Sequence, residues 1–177
     1  MAKIKTFIAI IFSTTFAACL NNTKKTSNKI VLSVDSVSLK NFKWTDLLDT
    51  SKTKVYYLQL NFLNFPDDNF IGKDIIDFKD SIPNNSFLLD SRQRQELLEL
   101  ISDSSNFSGG DCGTFHLNSG IVVAHKDKIN ATINIGCGFN QWNFSPENPV
   151  SKYGSFNEKG FKQMEKLLDN INLTNQK

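Results

Sequence analysis

The chain has 177 residues, of which 40% are hydrophobic, 11% aromatic and 21% charged, a composition typical of one globular domain. This composition excludes collagen, coiled coils, low-complexity polymers and proteins with several transmembrane spans. Twenty basic residues against 18 acidic ones give a formal charge of +2, too small for the broad basic surface that nucleic acid requires.

The first twenty residues have the layout of a secretory signal. A head with two lysines is followed by an apolar stretch from Thr6 to Phe16 and by two alanines before Cys19. The uncharged stretch from Thr6 to Leu20 has 15 residues, whereas a membrane-spanning helix needs roughly 20. We therefore predict a signal peptide over residues 1–18.

The segment Phe16-Ala17-Ala18-Cys19 resembles the lipobox of bacterial lipoproteins, with Phe16 in place of the usual Leu. The resemblance implies that Cys19 receives a diacylglyceryl group, that the signal is cut before it, and that acyl chains such as palmitate hold the chain at the cell envelope. Each buried CH₂ contributes about 0.8 kcal/mol, so two or three acyl chains anchor a soluble domain durably. Cleavage removes Lys3 and Lys5, which leaves the basic residues equal in number to the 18 acidic ones. An ordinary cleavage site without lipid is the alternative.

Residues Leu20–Asn28 are polar as a segment and lack aromatic side chains, so we expect a lipidated, flexible tether over residues 19–28 that leads into one globular domain over residues 29–177. Ile30–Val34 and Val55–Phe62 have the composition of strands. Phe65–Asn69, which contains a proline and two aspartates, is expected to be a loop.

Two helices are expected. The first runs from Ser91 to Ser102, with Asp90 or Ser91 as its N-cap and three apolar residues on one face, Leu97, Leu98 and Ile101. The second follows Asn157 as its N-cap and repeats apolar residues at helical spacing, namely Phe161, Met164, Leu167, Leu168 and Ile171. Ser104–Gly113 is expected to be a loop.

A β-hairpin is the clearest pattern in the chain. Apolar residues alternate with polar ones over residues 129–136, which predicts a strand with one apolar face formed by Ile129, Ala131, Ile133 and Ile135. Gly120–His125 is its expected partner, joined through a tight turn at Lys126–Lys128. Together these elements predict an α+β fold, a small antiparallel sheet covered by two helices in a single domain.

The segment from Gly138 to Ser155 is expected to be a second loop, and it is rich in aromatic residues. Aromatic side chains outside a periodic element are enriched at protein interfaces, so Trp142, Phe144 and Tyr153 are the candidate contact residues for a partner. The alternative is that these rings fold back onto the sheet.

With Cys19 assigned to lipid, Cys112 and Cys137 remain for an oxidising compartment, where such a pair is usually a disulfide. Cys137 continues the odd-numbered apolar face of the hairpin strand, so its sulfur is expected to point inward. Closing this loop would stabilise the fold by roughly 3 kcal/mol in the chain-entropy model.

Two alternatives compete for these cysteines. Cys112, His116, His125 and Cys137 together could supply four zinc ligands, although their spacing lacks the close pairs of structural zinc sites. Asp111–Phe115 resembles, in three positions of five, the nucleophile signature of cell-wall cysteine peptidases, which implies Cys112 as a nucleophile. In that family the catalytic His lies well downstream, whereas the last His here is His125.

The segment from Ile101 to Leu173 also resembles bacterial lipoproteins in which two cysteines flank a β-hairpin and a helix ends the chain. No motif in the sequence predicts a catalytic residue, cofactor or metal site. We therefore expect a membrane-anchored cell-envelope lipoprotein with a non-catalytic domain that binds an envelope protein or cell-wall component. The alternatives are a cell-wall hydrolase that uses Cys112 and an inhibitor or immunity-type lipoprotein.

Overall fold

A sheet of antiparallel strands forms the centre of the molecule. The computed structural model describes residues 32–34, 41–60, 71–82, 86–110, 113–150 and 154–174. The strands are β1 (Ser33–Val34), β2 (Lys54–Gln59), β3 (Ser86–Leu88), β4 (Phe107–Ser108), β5 (Leu117–His125), β6 (Lys128–Gly136), β7 (Gln141–Ser145) and β8 (Ser155–Phe156). The helices are α1 (Ser91–Ser102) and α2 (Glu158–Thr174), with short 3-10 helices at Trp44–Leu48, Ile75–Ser81 and Ser104–Asn106.

The strands follow the order β3-β2-β5-β6-β7-β8-β4, and every neighbouring pair along this path is antiparallel. The two-residue strand β1 lies off this path and runs parallel to the first residues of β6. Within the described ranges, the helices α1 and α2 accompany the sheet, which confirms the predicted α+β class.

The β5–β6 hairpin is confirmed, but the prediction places Ile129 on the wrong face of the sheet. Val123 is paired with Ala131, whereas the next residue, Ala124, is paired with Ile129, so Asn130 is an extra residue in β6. Such a bulge shifts the alternation of side chains along a strand. As a result, Ile129 belongs to the core on the other side of the sheet from the remaining three predicted residues.

The helices cover one face of the sheet, and both predicted N-caps are present. The Asp90 carboxylate accepts a hydrogen bond from the Gln93 amide at 2.8 Å, and the Asn157 side chain accepts one from the Gly160 amide at 3.1 Å. The predicted apolar stripe of α2 is also confirmed, since four of its five members are buried and Phe161 is half-buried, the buried members being Met164, Leu167, Leu168 and Ile171.

The opposite face, which the alternation predicts to be polar, is also covered. The 3-10 helix Ile75–Ser81 lies on it, so close to β5 that a Cβ placed on Gly120 would come within 2.4 Å of the Ile75 side chain. The Ile75 amide donates a hydrogen bond to the Asn134 side chain at 2.8 Å. The half-buried Asn134 side chain thus satisfies a backbone amide of the segment that covers this face.

A buried arginine joins three separate elements. Arg94 of α1 is only 4% exposed, and its guanidinium donates to the carbonyl oxygens of Leu89, Leu47 and Thr53 at 3.1, 3.3 and 3.0 Å. These carbonyls belong to the residue before the α1 cap, the first 3-10 helix and the residue before β2. Burial lowers the pKa of Arg94, and the nearby Asp90 carboxylate partly opposes that change.

We predict that Arg94→Met lowers the free energy of unfolding by about 3 kcal/mol, because it leaves buried carbonyl oxygens without donors. Arg92→Met is the matched control, since Arg92 lies on the same helix with its side chain 79% exposed in an ion pair with Glu96. Its effect should stay within about 0.5 kcal/mol. Urea denaturation of both variants measures the difference, and equal losses would contradict the assigned role of Arg94.

A surface ion pair links the end of α1 to the start of α2. The Lys159 Nζ lies 2.8 Å from the Asp103 carboxylate, and Ser105 also donates to that carboxylate. Hydrogen bonds from Lys159 and Ser105 lower the pKa of Asp103 from 3.8 to about 2. A carboxyl with a lowered pKa stabilises the fold above its unfolded value and loses that contribution as the pH falls toward its folded value.

Asp103→Asn should therefore be less stable than the parent protein above about pH 4, and the difference should shrink between about pH 4 and pH 2. Urea midpoints of both proteins across this range provide the measurement. Asp49, whose pKa is also lowered to about 2, remains in both proteins, so its titration does not distinguish them. A stability difference that does not depend on pH would refute this interpretation.

Candidate functional site

Three of the residues singled out from the sequence, Cys19, Cys112 and Tyr153, lie outside the described residues. Cys137 is described, and it lies just beyond the strand whose apolar face it was predicted to continue. Strand β6 ends at Gly136, and Cys137 follows it with a φ of 53° and a half-buried side chain. The left-handed backbone interrupts the alternation of side chains at this residue, and the Cys137 Sγ lies 3.6 Å from the Gln141 side-chain oxygen.

The aromatic segment predicted to be a loop contains a strand. Gln141–Ser145 is strand β7, and Trp142 is 0% exposed, with its ring 5.1 Å from that of Phe156 in an edge-on arrangement. Phe144 is half-buried, and its ring contacts Trp44 at 5.4 Å. The prediction of a contact surface is therefore wrong for Trp142, which folds back onto the sheet because pairing of β7 with β6 directs it into the core.

Trp142 nevertheless shapes the surface through the turn between β6 and β7. Its indole Nε1 donates a hydrogen bond to the Phe139 carbonyl at 3.1 Å. The Cys137 amide donates to the His116 carbonyl at 3.2 Å, and the Gly138 amide donates to the Asn118 side chain at the same distance. These bonds hold Phe139 at a φ of 71°, a conformation that is rare for a bulky residue and often marks a functional segment.

Phe139 forms one lip of a groove between β2 and α2, with a volume of about 360 Å³. The floor is apolar and consists of Tyr57, Phe161, Met164 and Leu168. Pockets of a few hundred cubic ångströms with an apolar floor and a few polar groups are typical ligand sites. We take this groove as the candidate site.

The rim of the groove is acidic. Glu165 and Asp169 lie one helical turn apart on α2, and Gln59 and Asn172 add neutral polar groups. None of the described residues that line the groove is a lysine or an arginine. Burial raises the pKa of the Tyr57 hydroxyl, so this phenol stays neutral. The groove thus favours a ligand with an apolar part and a positive charge.

The two histidines lie at opposite ends of β5. His116 precedes the strand and is bridged to Ile71, whereas His125 ends it, with Nδ1 in contact with the Lys52 carbonyl. An extended strand of this length separates them by more than about 25 Å. One zinc ion therefore cannot bind His116 and His125 together, and the described residues contain no group of three side chains suited to a metal.

No pattern in the sequence indicates the groove as a unit. The helical stripe marks Phe161, Met164 and Leu168 as core residues, and these same residues form the groove floor. Tyr57 lies in a predicted strand, but nothing in its pattern indicates that α2 passes beside it. Phe139 follows a glycine in a segment expected to be a loop, and its left-handed backbone depends on a tertiary hydrogen bond from Trp142.

No family model, curated protein or solved structure matches this chain. Among the described residues, no helix has the length and apolar character needed to cross a membrane.

Proposed function

We propose that this protein is a membrane-anchored lipoprotein of the bacterial cell envelope whose domain binds a ligand without catalysing a reaction. The segment Phe16-Ala17-Ala18-Cys19, after a basic head and an apolar stretch, carries the proposal. Cys19 would be the lipid attachment site. The polar residues that follow it would connect the anchor to a domain whose first described core residue is Leu32.

The groove between β2 and α2 supports the binding role. It is held on one side by a hydrogen-bonded turn and on the other by a helix, so its shape exists before a ligand arrives. Its acidic rim and aromatic lip suit an amine attached to an apolar group, for example a lysine or an aromatic amine in a peptide. Because such recognition needs no nucleophile or general base, the proposal assigns no catalytic residue.

We further propose that Cys112 and Cys137 form a disulfide. Cys112 lies five residues before β5 in the sequence, and the first residue after β6 is Cys137. Its Sγ lies 3.9 Å from the carbonyl oxygen of Thr114, two residues after Cys112 in the chain. The disulfide would join the segment before β5 to the turn that carries Phe139, and so would help to fix the groove.

The anchor is tested by producing the chain in a bacterial host as the parent and as Cys19→Ser, followed by partition between aqueous and detergent phases. The parent should enter the detergent phase as a processed species. The variant should remain the larger precursor, because both lipid transfer and cleavage require the thiol. Processing of Cys19→Ser to the same size as the parent would contradict the proposal and favour an ordinary signal peptide.

The disulfide is tested by alkylating the denatured protein before and after reduction. Neither Cys112 nor Cys137 should react before reduction, and both should react afterwards, as read by peptide mass spectrometry. Alkylation of Cys112 without reduction would refute the disulfide and support the alternative of a cell-wall hydrolase with a Cys112 nucleophile.

The groove is tested with phenethylamine, which has an aromatic ring and a positive charge, by following amide chemical shifts in NMR titrations. Shifts should concentrate around Phe139 and Phe161. The double variant Glu165→Gln with Asp169→Asn should weaken binding several-fold, because each exposed carboxylate contributes on the order of 0.5 kcal/mol to the binding free energy. Glu96→Gln with Glu99→Gln, on the neighbouring helix, is the matched control. Equal affinity of the two double variants would contradict a role of the acidic rim in binding the amine.

A further inference from the structure

A second cleft lies at the opposite end of β2 from the groove. It has a volume of about 340 Å³ near the turn from β5 to β6, and side chains from three segments line it, among them Phe42, Asp46, Lys52, Thr53, His125 and Asn130. Thr53 immediately precedes β2, whereas Gln59 ends that strand and lines the groove. An extended segment of this length spans about 20 Å, so the two spaces are separate. This space is called the hairpin-end cleft below.

A bulge in β6 brings Asn130 to the hairpin-end cleft. Asn130 is the extra residue that the pairing of β5 with β6 leaves without an opposite residue. Bulges re-aim a side chain and are over-represented next to active sites. Here the bulged residue lines the cleft together with His125, the last residue of β5.

Two buried polar atoms, one in the cleft wall and one behind it, lack partners. The Asn130 Oδ1 is buried and has no hydrogen-bond donor among the described residues. Phe42 packs edge-on against Trp44 with ring centroids 5.3 Å apart, and the Trp44 Nε1 is buried without an acceptor within the described ranges. Because most buried polar groups in proteins are hydrogen-bonded, such exceptions call for an explanation. A ligand that donates to Asn130 would remove the cost of its unpaired acceptor.

The other polar groups of the cleft suit a neutral ligand. The His125 Nδ1 contacts the Lys52 carbonyl oxygen, so in the neutral ring this nitrogen carries the proton and Nε2 is left as an acceptor. The Lys52 ammonium is paired with Asp49 at 2.9 Å, and Asp46 also acts on its charge. Within the described lining, Lys52 and Asp46 balance each other, so neither an anion nor a cation is favoured strongly.

This combination of groups matches the chemistry of a sugar. A hydroxyl both donates and accepts hydrogen bonds, so one sugar ring can donate to the Asn130 Oδ1 and to the His125 Nε2. The half-buried Phe42 ring offers an apolar surface for the C–H groups of that ring. The cleft volume is at the lower end of the range for small-molecule sites, which suits a small saccharide. From these features we infer that the hairpin-end cleft is a second binding site, which takes a neutral sugar and depends neither on the groove nor on the lipid anchor.

The full chain is titrated with N-acetylglucosamine, a neutral sugar, while amide chemical shifts are followed by NMR. Shifts should saturate with a Kd on the order of 1 mM and concentrate around Phe42, His125 and Asn130. Phe139 and Phe161 in the groove should not respond. Absence of saturable shifts at the cleft, or their appearance in the groove instead, would overturn the inference.

Two further probes separate the cleft from an anion site and from the groove. Inorganic phosphate should give no saturable shift at His125, and phosphate binding by the same residues would overturn the sugar assignment. Saturation of the chain with phenethylamine should leave the sugar affinity unchanged, whereas competition between the two ligands would refute a separate site. The proposed groove and the hairpin-end cleft can therefore fail independently.

Asn130→Leu removes the amide while keeping the approximate size of the side chain. It should weaken sugar binding about tenfold. Its urea midpoint should be no lower than that of the parent protein, because the lost oxygen leaves no partner unpaired. Asn143→Leu, at an exposed position of β7, is the matched control and should bind like the parent. A lower midpoint with unchanged sugar affinity would show a purely structural role for Asn130 and overturn the inference.

Phe42→Leu, in a different segment of the lining, keeps the test decisive if Asn130→Leu does not fold. It should weaken sugar binding several-fold, because it removes the aromatic surface against which the sugar ring packs. Parent-like sugar affinity in this variant would contradict the assignment of the cleft.

Discussion

A buried positive charge that donates hydrogen bonds to neutral carbonyl oxygens holds three segments of the fold together. Arg94 binds three carbonyl oxygens from segments that are distant in sequence, and so it fixes where α1 lies relative to the first 3-10 helix and the start of β2. A guanidinium can do this because it is planar, carries five donors and keeps its proton even when burial lowers its pKa. The helix that Arg94 positions then covers one face of the sheet beside α2, which forms a wall of the groove.

Local patterns in the sequence were sufficient for the elements that depend on local chemistry. The capping residues Asp90 and Asn157, the apolar stripe of α2 and the β5–β6 hairpin could all be predicted, because each follows from spacing and backbone hydrogen bonding. The bulge at Asn130 could not be predicted, since it is set by pairing with β5 and leaves no mark in the alternation. Arginine usually lies on the surface, and only the tertiary contacts of Arg94 show that it is buried.

The candidate site was less predictable than the fold because it, too, depends on tertiary contacts. Aromatic residues near the end of the chain suggested an exposed surface, but strand pairing places Trp142 in the core, where its N–H group supports the turn that carries Phe139. The groove depends on topology, because the strand order and the position of α2 beside β2 bring together residues that are distant in sequence.

The central claim of this account is that Cys19 carries lipid and begins the mature chain. The most direct test is the intact mass of the protein extracted from bacterial membranes, combined with sequencing of its N-terminal peptide. The account predicts a chain that lacks residues 1–18 and is heavier than its polypeptide by a diacylglyceryl group, with or without a further acyl chain. A species that still begins at Met1, or one that begins at an unmodified Cys19, would contradict it.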